Sequence, residues 1–173
     1  MTKRIRRLLW AAALLLLAGV LLFVNLPEAA PSPGAGVGDA LPDFSVECVD
    51  GSSFSLSAQR GKVVVINLWA TWCAPCVREL PNFERLWRER GGEVTVLALH
   101  SPPVTADVDA YLADYAYTMP FAVDGDGSLA ELLGASAVLP QTVILSPDGV
   151  VTYNQAGSLS YEELCALADR AVG

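Results

Sequence analysis

The chain alternates between short apolar runs and segments in which apolar residues recur every three or four positions. The run Val63–Trp69 is continuous, β-branched and apolar, which is typical of a fully buried strand. Residues 77–90 follow it and are predicted to form a helix, because their apolar residues share one helical face: Leu80, Phe83, Leu86 and Trp87. A buried strand therefore leads, after a short connection, into an amphipathic helix.

The same patterns predict the remaining elements. Asp50 and Gly51 are the turn of a hairpin over residues 44–56. Further strands are predicted at 93–99, 120–123, 141–145 and 150–154, and further helices at 105–117, 128–133 and 160–172. Thr105 is expected to cap the second helix, and Ser160 with Glu163 forms a capping box for the last one. Strands alternating with helices indicate an α/β fold around a mixed sheet.

The first 38 residues differ in composition from the rest. Four basic residues within positions 1–7 precede the uncharged, largely apolar residues 8–26, close to the roughly 20 residues that span a bilayer as a helix. We predict a transmembrane anchor at 8–26, with residues 1–7 cytoplasmic and the remainder extracytoplasmic. A cleaved signal peptide is the alternative. Residues 27–38, rich in Pro, Ala and Gly, are predicted to be a flexible linker to one domain at 39–173.

The predicted exported part is strongly acidic. Of the 11 basic residues, four precede the anchor, which leaves seven against 19 acidic residues, a net charge of about −12. This balance argues against a nucleic-acid partner.

Two cysteines lie where the first buried strand passes into its helix. Cys73 and Cys76 form a Cys-x-x-Cys motif, and Cys73 is placed at the helix N-terminus, where the helix dipole and free backbone N–H groups favour a thiolate. We predict that Cys73 attacks a substrate disulfide and that Cys76 resolves the mixed disulfide. A structural zinc site needs four ligands, and the other cysteines are not a second close pair, so no metal site is predicted.

Three stretches resemble a known family. Residues 67–81, 139–142 and 146–149 read Asn-Leu-Trp-Ala-Thr-Trp-Cys-Ala-Pro-Cys-Val-Arg-Glu-Leu-Pro, Leu-Pro-Gln-Thr and Ser-Pro-Asp-Gly. With the order of elements, they resemble the membrane-anchored, extracytoplasmic thiol–disulfide oxidoreductases of the TlpA/ResA type. The resemblance implies a thioredoxin-like fold with an N-terminal β-hairpin and a central helix–strand insertion.

The resemblance also implies site residues. Pro140 matches the cis-proline that faces the Cys-x-x-Cys motif, so Leu139 and Pro140 would bind a substrate strand through their backbone. Trp72 is expected to border the site. Glu79 lies three residues after Cys76, on the next turn of the helix, and we hypothesise that it assists deprotonation of Cys76. The alternative is an ordinary solvent-facing glutamate.

Other polar or sulfur-containing residues have alternative interpretations. Cys48 and Cys165 form either a structural disulfide, which persists outside the cytoplasm, or two free thiols. His100, the single histidine, is interpreted as a loop-facing residue at the end of a strand rather than a catalytic one.

Together these residues predict an enzyme that reduces disulfides in exported proteins, for example apocytochrome c as the family resemblance implies. Its electrons would come from a membrane thiol donor, and no cofactor is expected because the chain has no flavin or nicotinamide fingerprint. The same residues would serve a thiol oxidase. A third hypothesis is a Cu(I)-binding metallochaperone in which the two thiolates hold the metal.

Overall fold

A five-stranded mixed sheet is the centre of the molecule. The computed structural model describes Trp10 and residues 34–173 except Thr105. The sheet contains β3 (Val63–Trp69), β4 (Val94–His100), β5 (Phe121–Val123), β6 (Gln141–Leu145) and β7 (Val151–Ala156) in the order β5-β4-β3-β6-β7. Strands β3, β4 and β5 run parallel, whereas β6 and β7 are antiparallel to their neighbours. A separate hairpin pairs β1 (Ser45–Glu47) with β2 (Ser53–Ser55).

Four α-helices and one short 3₁₀ turn complete the domain. The helices are α1 (Ala74–Arg90), α2 (Val108–Leu112), α3 (Ser128–Leu132) and α4 (Tyr161–Val172), and the 3₁₀ turn is Ser57–Gln59. Ser160 and Glu163 cap α4 reciprocally, which confirms the predicted capping box. The hairpin and the insertion of α2 and β5 agree with the predicted thioredoxin-like α/β fold.

The central strands are buried on both faces because each residue contacts one of two apolar layers. In β3, Val63, Val65 and Trp69 belong to the cluster that includes residues of α1 and α4. Val64, Ile66 and Leu68 face the opposite layer, which contains the hairpin and residues beside α3. A continuous apolar run without alternation is the pattern expected of a strand covered on both sides.

The second predicted helix is much shorter than the sequence pattern indicates. It was expected at 105–117, but α2 has five residues, and Asp107 caps it by accepting a hydrogen bond from Ala110 N at 3.1 Å. The expected cap, Thr105, lies outside the described residues. After α2 the chain turns so that the rings of Tyr115 and Tyr117 stack at 5.3 Å. Packing of these rings therefore replaces the last helical turns.

A buried glutamate of α1 holds the segment that follows α2. Glu84 Oε2 accepts hydrogen bonds from Thr118 N (2.9 Å) and Met119 N (3.0 Å), and Oε1 accepts one from Thr118 Oγ1 (2.8 Å). The segment approaches β5, so these bonds attach the inserted helix and strand to the rest of the domain.

We expect Glu84→Ala to lower the free energy of unfolding by about 3 kcal/mol, because it leaves the buried Met119 N–H and the partly buried Thr118 N–H without their acceptor. Chemical denaturation of the variant and the wild type measures this difference. Glu93→Ala is the control, because the Glu93 side chain is largely exposed and its loss should change stability by less than about 0.5 kcal/mol. A similar small effect for Glu84→Ala would show that the segment is held by other contacts.

Both edges of the sheet are partly covered by backbone from elsewhere in the chain. At β5, Val49 N donates to Phe121 O (2.8 Å), and Cys48 forms a bridge with Ala122. At β7, Val151 exchanges 2.8 Å hydrogen bonds with the segment at 38–39, through its N–H and its carbonyl. Gly34 N also donates to Ala40 O, so the ordered domain includes residues that the sequence assigns to the linker.

The predicted anchor at 8–26 lies, apart from Trp10, outside the described residues. Within the described part of the chain, none of the helices has the length and apolar character needed to cross a membrane.

Candidate active site

Cys73 and Cys76 form a disulfide where β3 passes into α1. The sulfur–sulfur distance is 2.02 Å and the Cα atoms are 5.3 Å apart. Cys73 is the N-cap residue of α1, and its sulfur accepts a hydrogen bond from Cys76 N at 3.3 Å. Ala74 and Pro75 occupy the first two helical positions, where a proline removes no intrahelical hydrogen bond.

The two sulfurs differ in their access to solvent. Cys73 is 5% exposed and Cys76 is fully buried, so Cys73 is the sulfur that a partner reaches first. The first turn of α1 contains no acidic residue, which leaves the positive end of the helix dipole uncompensated beside Cys73. This environment stabilises a Cys73 thiolate once the disulfide is reduced.

Glu79 is buried, in contrast to the solvent-facing alternative for this residue. It is 3% exposed, and its carboxylate accepts hydrogen bonds from Asn67 Nδ2 (2.8 Å) and Leu159 N (2.9 Å). Burial raises the pKa of Glu79 to about 7, and the two hydrogen bonds oppose this shift. Glu79 lies three residues after Cys76 in α1, so the two side chains share one side of the helix.

His100 is also buried, so its interpretation as a loop-facing residue is wrong. It ends β4 opposite Trp69, whose indole ring lies 5.1 Å from the imidazole in an edge-on arrangement. Its Nε2 accepts a hydrogen bond from Thr71 N at 3.1 Å. Burial lowers the pKa of His100 and so favours the neutral ring. Strand β4 thereby contacts the turn that carries Cys73.

The Leu139–Pro140 peptide bond is cis, which confirms the conformation expected for Pro140. Gln141 pairs with Leu68, so Pro140 lies beside the end of β3 from which the Cys73 turn leaves. The Gln141 side chain faces inward: it accepts from Ser136 N (2.7 Å) and donates to Asn154 Oδ1 (2.6 Å). Gln141 therefore holds the loop preceding Pro140.

Exposed apolar side chains flank the disulfide. Trp72 is 51% exposed, and its Nε1 donates to Pro103 O at 3.1 Å, which fixes the indole against the loop after β4. Val104 of that loop and Val138 beside the cis-proline are exposed as well, and Leu139 packs against the apolar cluster that includes both cysteines. We call Trp72, Val104 and Val138 the apolar rim.

The other two cysteines do not form the suggested structural disulfide. Cys48 and Cys165 are both free. Cys48 lies in the cluster on the hairpin face of the sheet, whereas Cys165 packs against the cluster on the α1 and α4 face. The sheet therefore separates the two thiols.

Comparison with known proteins gives the family. The Redoxin family profile matches residues 36–166. The chain belongs to the Redoxin family. Its redoxin domain is 34% identical over 135 residues to the thiol-disulfide oxidoreductase ResA of Oceanobacillus iheyensis, covering 74% of this chain and 69% of that protein. It is 32% identical over 160 residues to the thioredoxin-like protein YneN of Bacillus subtilis, covering 86% of this chain and 93% of that one.

A solved structure supports the same assignment. The exposed lipoprotein thioredoxin of Streptococcus pneumoniae superposes with a TM-score of 0.69 at 27% identity, covering 75% of this chain and 99% of that one. The redoxin described here is thus a thiol–disulfide oxidoreductase with a thioredoxin-like fold, and its Cys73–Cys76 pair is the dithiol motif of that fold.

Sequence reasoning missed the roles of two residues in this site. No role was assigned from the sequence to Asn67, which donates to Glu79, and His100 was interpreted as facing a loop. Both lie in otherwise apolar strands, and a polar residue in such a strand needs a buried partner. This need for a buried partner is the feature of the sequence from which both roles could have been inferred. Among the described residues, no three His, Cys, Asp or Glu side chains are grouped so that they could hold a metal ion.

Proposed function

We propose that this redoxin reduces disulfides in exported proteins on the extracytoplasmic side of the membrane. The observation that supports this most directly is the combination of a partly accessible Cys73 with the apolar rim. A disulfide within a polypeptide brings apolar surface that covers Trp72, Val104 and Val138, whereas a small soluble disulfide does not.

The reaction proceeds in two exchanges. In the reduced enzyme the Cys73 thiolate attacks one sulfur of the substrate disulfide, forming a mixed disulfide and releasing the first substrate thiolate. Cys76, deprotonated in turn, attacks Cys73 Sγ, which re-forms the Cys73–Cys76 disulfide and releases the second thiolate. Two electrons pass from the enzyme to the substrate, and the two substrate thiolates take up the protons lost by the cysteines.

In this mechanism Glu79 accepts the proton of Cys76. A pKa near 7 suits a general base at neutral pH, because the carboxylate is present and its conjugate acid releases the proton again. Asn67 is matched to both states: its Nδ2 donates to the carboxylate, and rotation of the amide presents Oδ1 to the protonated acid. Asn67 Oδ1 has no hydrogen-bond partner among the described residues, so this rotation breaks no bond at that atom.

Substrate binding uses the cis-proline segment. The backbone of Leu139 and Pro140 would pair with an extended substrate segment beside the cysteines, in the manner of an added strand. Pro140 has no N–H, and its carbonyl accepts a hydrogen bond from Gly157 N at 2.8 Å, so the pairing would use the backbone groups of Leu139. The exposed Trp72 would add an apolar contact to the same substrate segment.

The cellular setting follows from the predicted anchor and from the relatives. A helix at 8–26 with basic residues before it would place the domain outside the cytoplasm. One structural relative is named an exposed lipoprotein thioredoxin, which is consistent with a surface location. We therefore propose oxidised exported proteins as substrates, including apocytochrome c during cytochrome c maturation, and a membrane thiol protein as electron donor.

A redox titration of the full chain against dithiol buffers tests the direction of electron flow. We expect the Cys73–Cys76 couple to have a potential near or below about −250 mV, as in reductants of the thioredoxin kind. A potential above about −150 mV would instead make the protein a thiol oxidase.

Cu(I) titration of the reduced chain and of Cys76→Ser is the parallel control. Tight binding that depends on Cys76, together with no reversible disulfide, would support the metallochaperone hypothesis.

A further inference from the structure

A second buried polar residue besides Glu79 contacts the active-site region, and it does so from β4. His100 is fully buried, and it is the single histidine of the chain. It is not near the cysteines in sequence, but the β3–β4 register places it directly opposite Trp69. The disulfide exchange described above does not use it.

Its contact falls on the turn between β3 and α1. Thr71 N–H donates to His100 Nε2 at 3.1 Å, and Thr71 Oγ1 lies 3.5 Å from the same nitrogen. Within this turn Cys73 N donates to Ala70 O at 3.0 Å. Among the described residues, Thr71 thus has the one backbone amide of this turn that bonds to a side chain of another strand.

We propose that His100 is a positioning residue of the thiol–disulfide exchange, acting through Nε2 as the hydrogen-bond acceptor that holds the turn at Thr71. The turn in this position places Cys73 at the N-cap of α1, where the helix dipole stabilises its thiolate. His100 touches neither cysteine in this scheme. It acts through the backbone of Thr71.

The geometry fixes the state of the imidazole. A nitrogen that accepts a hydrogen bond from an amide carries no proton, so the ring is neutral and its proton lies on Nδ1. Trp69 encloses one side of the ring, and Ser101 N donates to Trp69 O at 2.8 Å, which closes the end of the strand. His100 Nδ1 has no hydrogen-bond partner among the described residues, so the contact of Nε2 with Thr71 is the one that orients the ring.

Three substitutions at His100 distinguish the effect of its hydrogen-bond acceptor from the effect of its packing in the core. His100→Gln places an amide oxygen at the distance of Nε2, His100→Asn places it nearer the backbone, and His100→Leu removes the acceptor. The rate of reaction of reduced full chain with a protein disulfide is measured against pH, which yields the pKa of the Cys73 thiol. We expect Asn and Leu to raise this pKa and to lower the rate at pH 7 about fivefold, the equivalent of one hydrogen bond. Gln should stay within about twofold of the wild type.

The outcomes separate a positioning role from ordinary packing. If all three variants lose rate equally, the shape of the ring matters and not its acceptor, and the proposal is overturned. If Asn and Leu lower only the melting temperature and leave the Cys73 pKa unchanged, His100 is a core residue and nothing more.

A measurement on the wild type keeps the proposal testable if the variants fail to fold. Because the chain has one histidine, its ¹⁵N ring signals in NMR spectra of the full chain are unambiguous. We expect an unprotonated Nε2 and a protonated Nδ1 at neutral pH. A protonated Nε2 would contradict the proposal, because such a nitrogen accepts no hydrogen bond from Thr71.

Discussion

Cys76→Ser is expected to convert the enzyme into a covalent trap for its substrates. Cys73 keeps its place at the N-cap of α1 and still attacks a substrate disulfide, but the motif has no second thiol to resolve the product. Turnover should fall by about three orders of magnitude or more. Because Cys76 is fully buried, a serine of similar size occupies the site without opening a cavity.

Non-reducing electrophoresis and mass spectrometry of the trapped adducts measure the effect and identify the substrates. Cys73→Ser should form no adduct at the motif, because Cys76, the thiol that remains there, is fully buried. Cys165→Ser is the matched control, because this free cysteine of α4 takes no part in the proposed exchange, and the variant should keep full turnover. Adducts formed by Cys73→Ser and not by Cys76→Ser would reverse the proposed roles of the two cysteines.

Glu79→Gln should slow resolution of the mixed disulfide about a hundredfold at neutral pH, because it removes the base that we propose accepts the proton of Cys76. In stopped-flow measurements the wild-type rate should rise with pH through a step near pH 7, where Glu79 ionises. The step should be absent in the variant. Glu47→Gln, a change on the exposed hairpin strand β1, should leave the profile unaltered.

The same substitution has a predicted effect on stability with a definite sign. The pKa of Glu79 is about 7 when folded and near 4.5 when unfolded, so between these values the folded state holds one proton more. The free energy of unfolding therefore falls as pH rises through this window, by about 3 kcal/mol in total. In Glu79→Gln this pH dependence disappears. The stability of the variant relative to the wild type therefore increases as pH rises to 8. A pH-independent difference between them would assign the titration to another group.

The sequence pattern was sufficient for the elements whose packing is regular. Val63–Trp69, the capping box of α4 and the hairpin follow from local residue types, and the structure contains them. The Cys73–Cys76 pair is likewise evident from its position after a buried strand. Local chemistry and global packing agree at these places, which is the condition under which sequence patterns are reliable.

The sequence pattern predicted the wrong structure where a contact with a residue distant in sequence determines the local conformation or burial. The helical periodicity after residue 108 continues through Tyr115, but Glu84 of α1 binds the backbone at Thr118 and Met119, and the chain leaves the helix before that point. His100 is polar and ends a strand, features that also describe an exposed residue. Its burial depends on Trp69, and the sequence shows neither the strand register nor that contact.

The covered edges of the sheet affect how the protein interacts with unfolded polypeptides. Unpaired strand edges readily recruit other extended polypeptides, which is the route to intermolecular β-structure. Here the hairpin bridges to β5 and the segment at 38–39 bonds to the start of β7. If its substrates are incompletely folded polypeptides, as proposed above, open strand edges would bind them as added strands. The partly covered edges thus limit the pairing of other extended chains with the sheet.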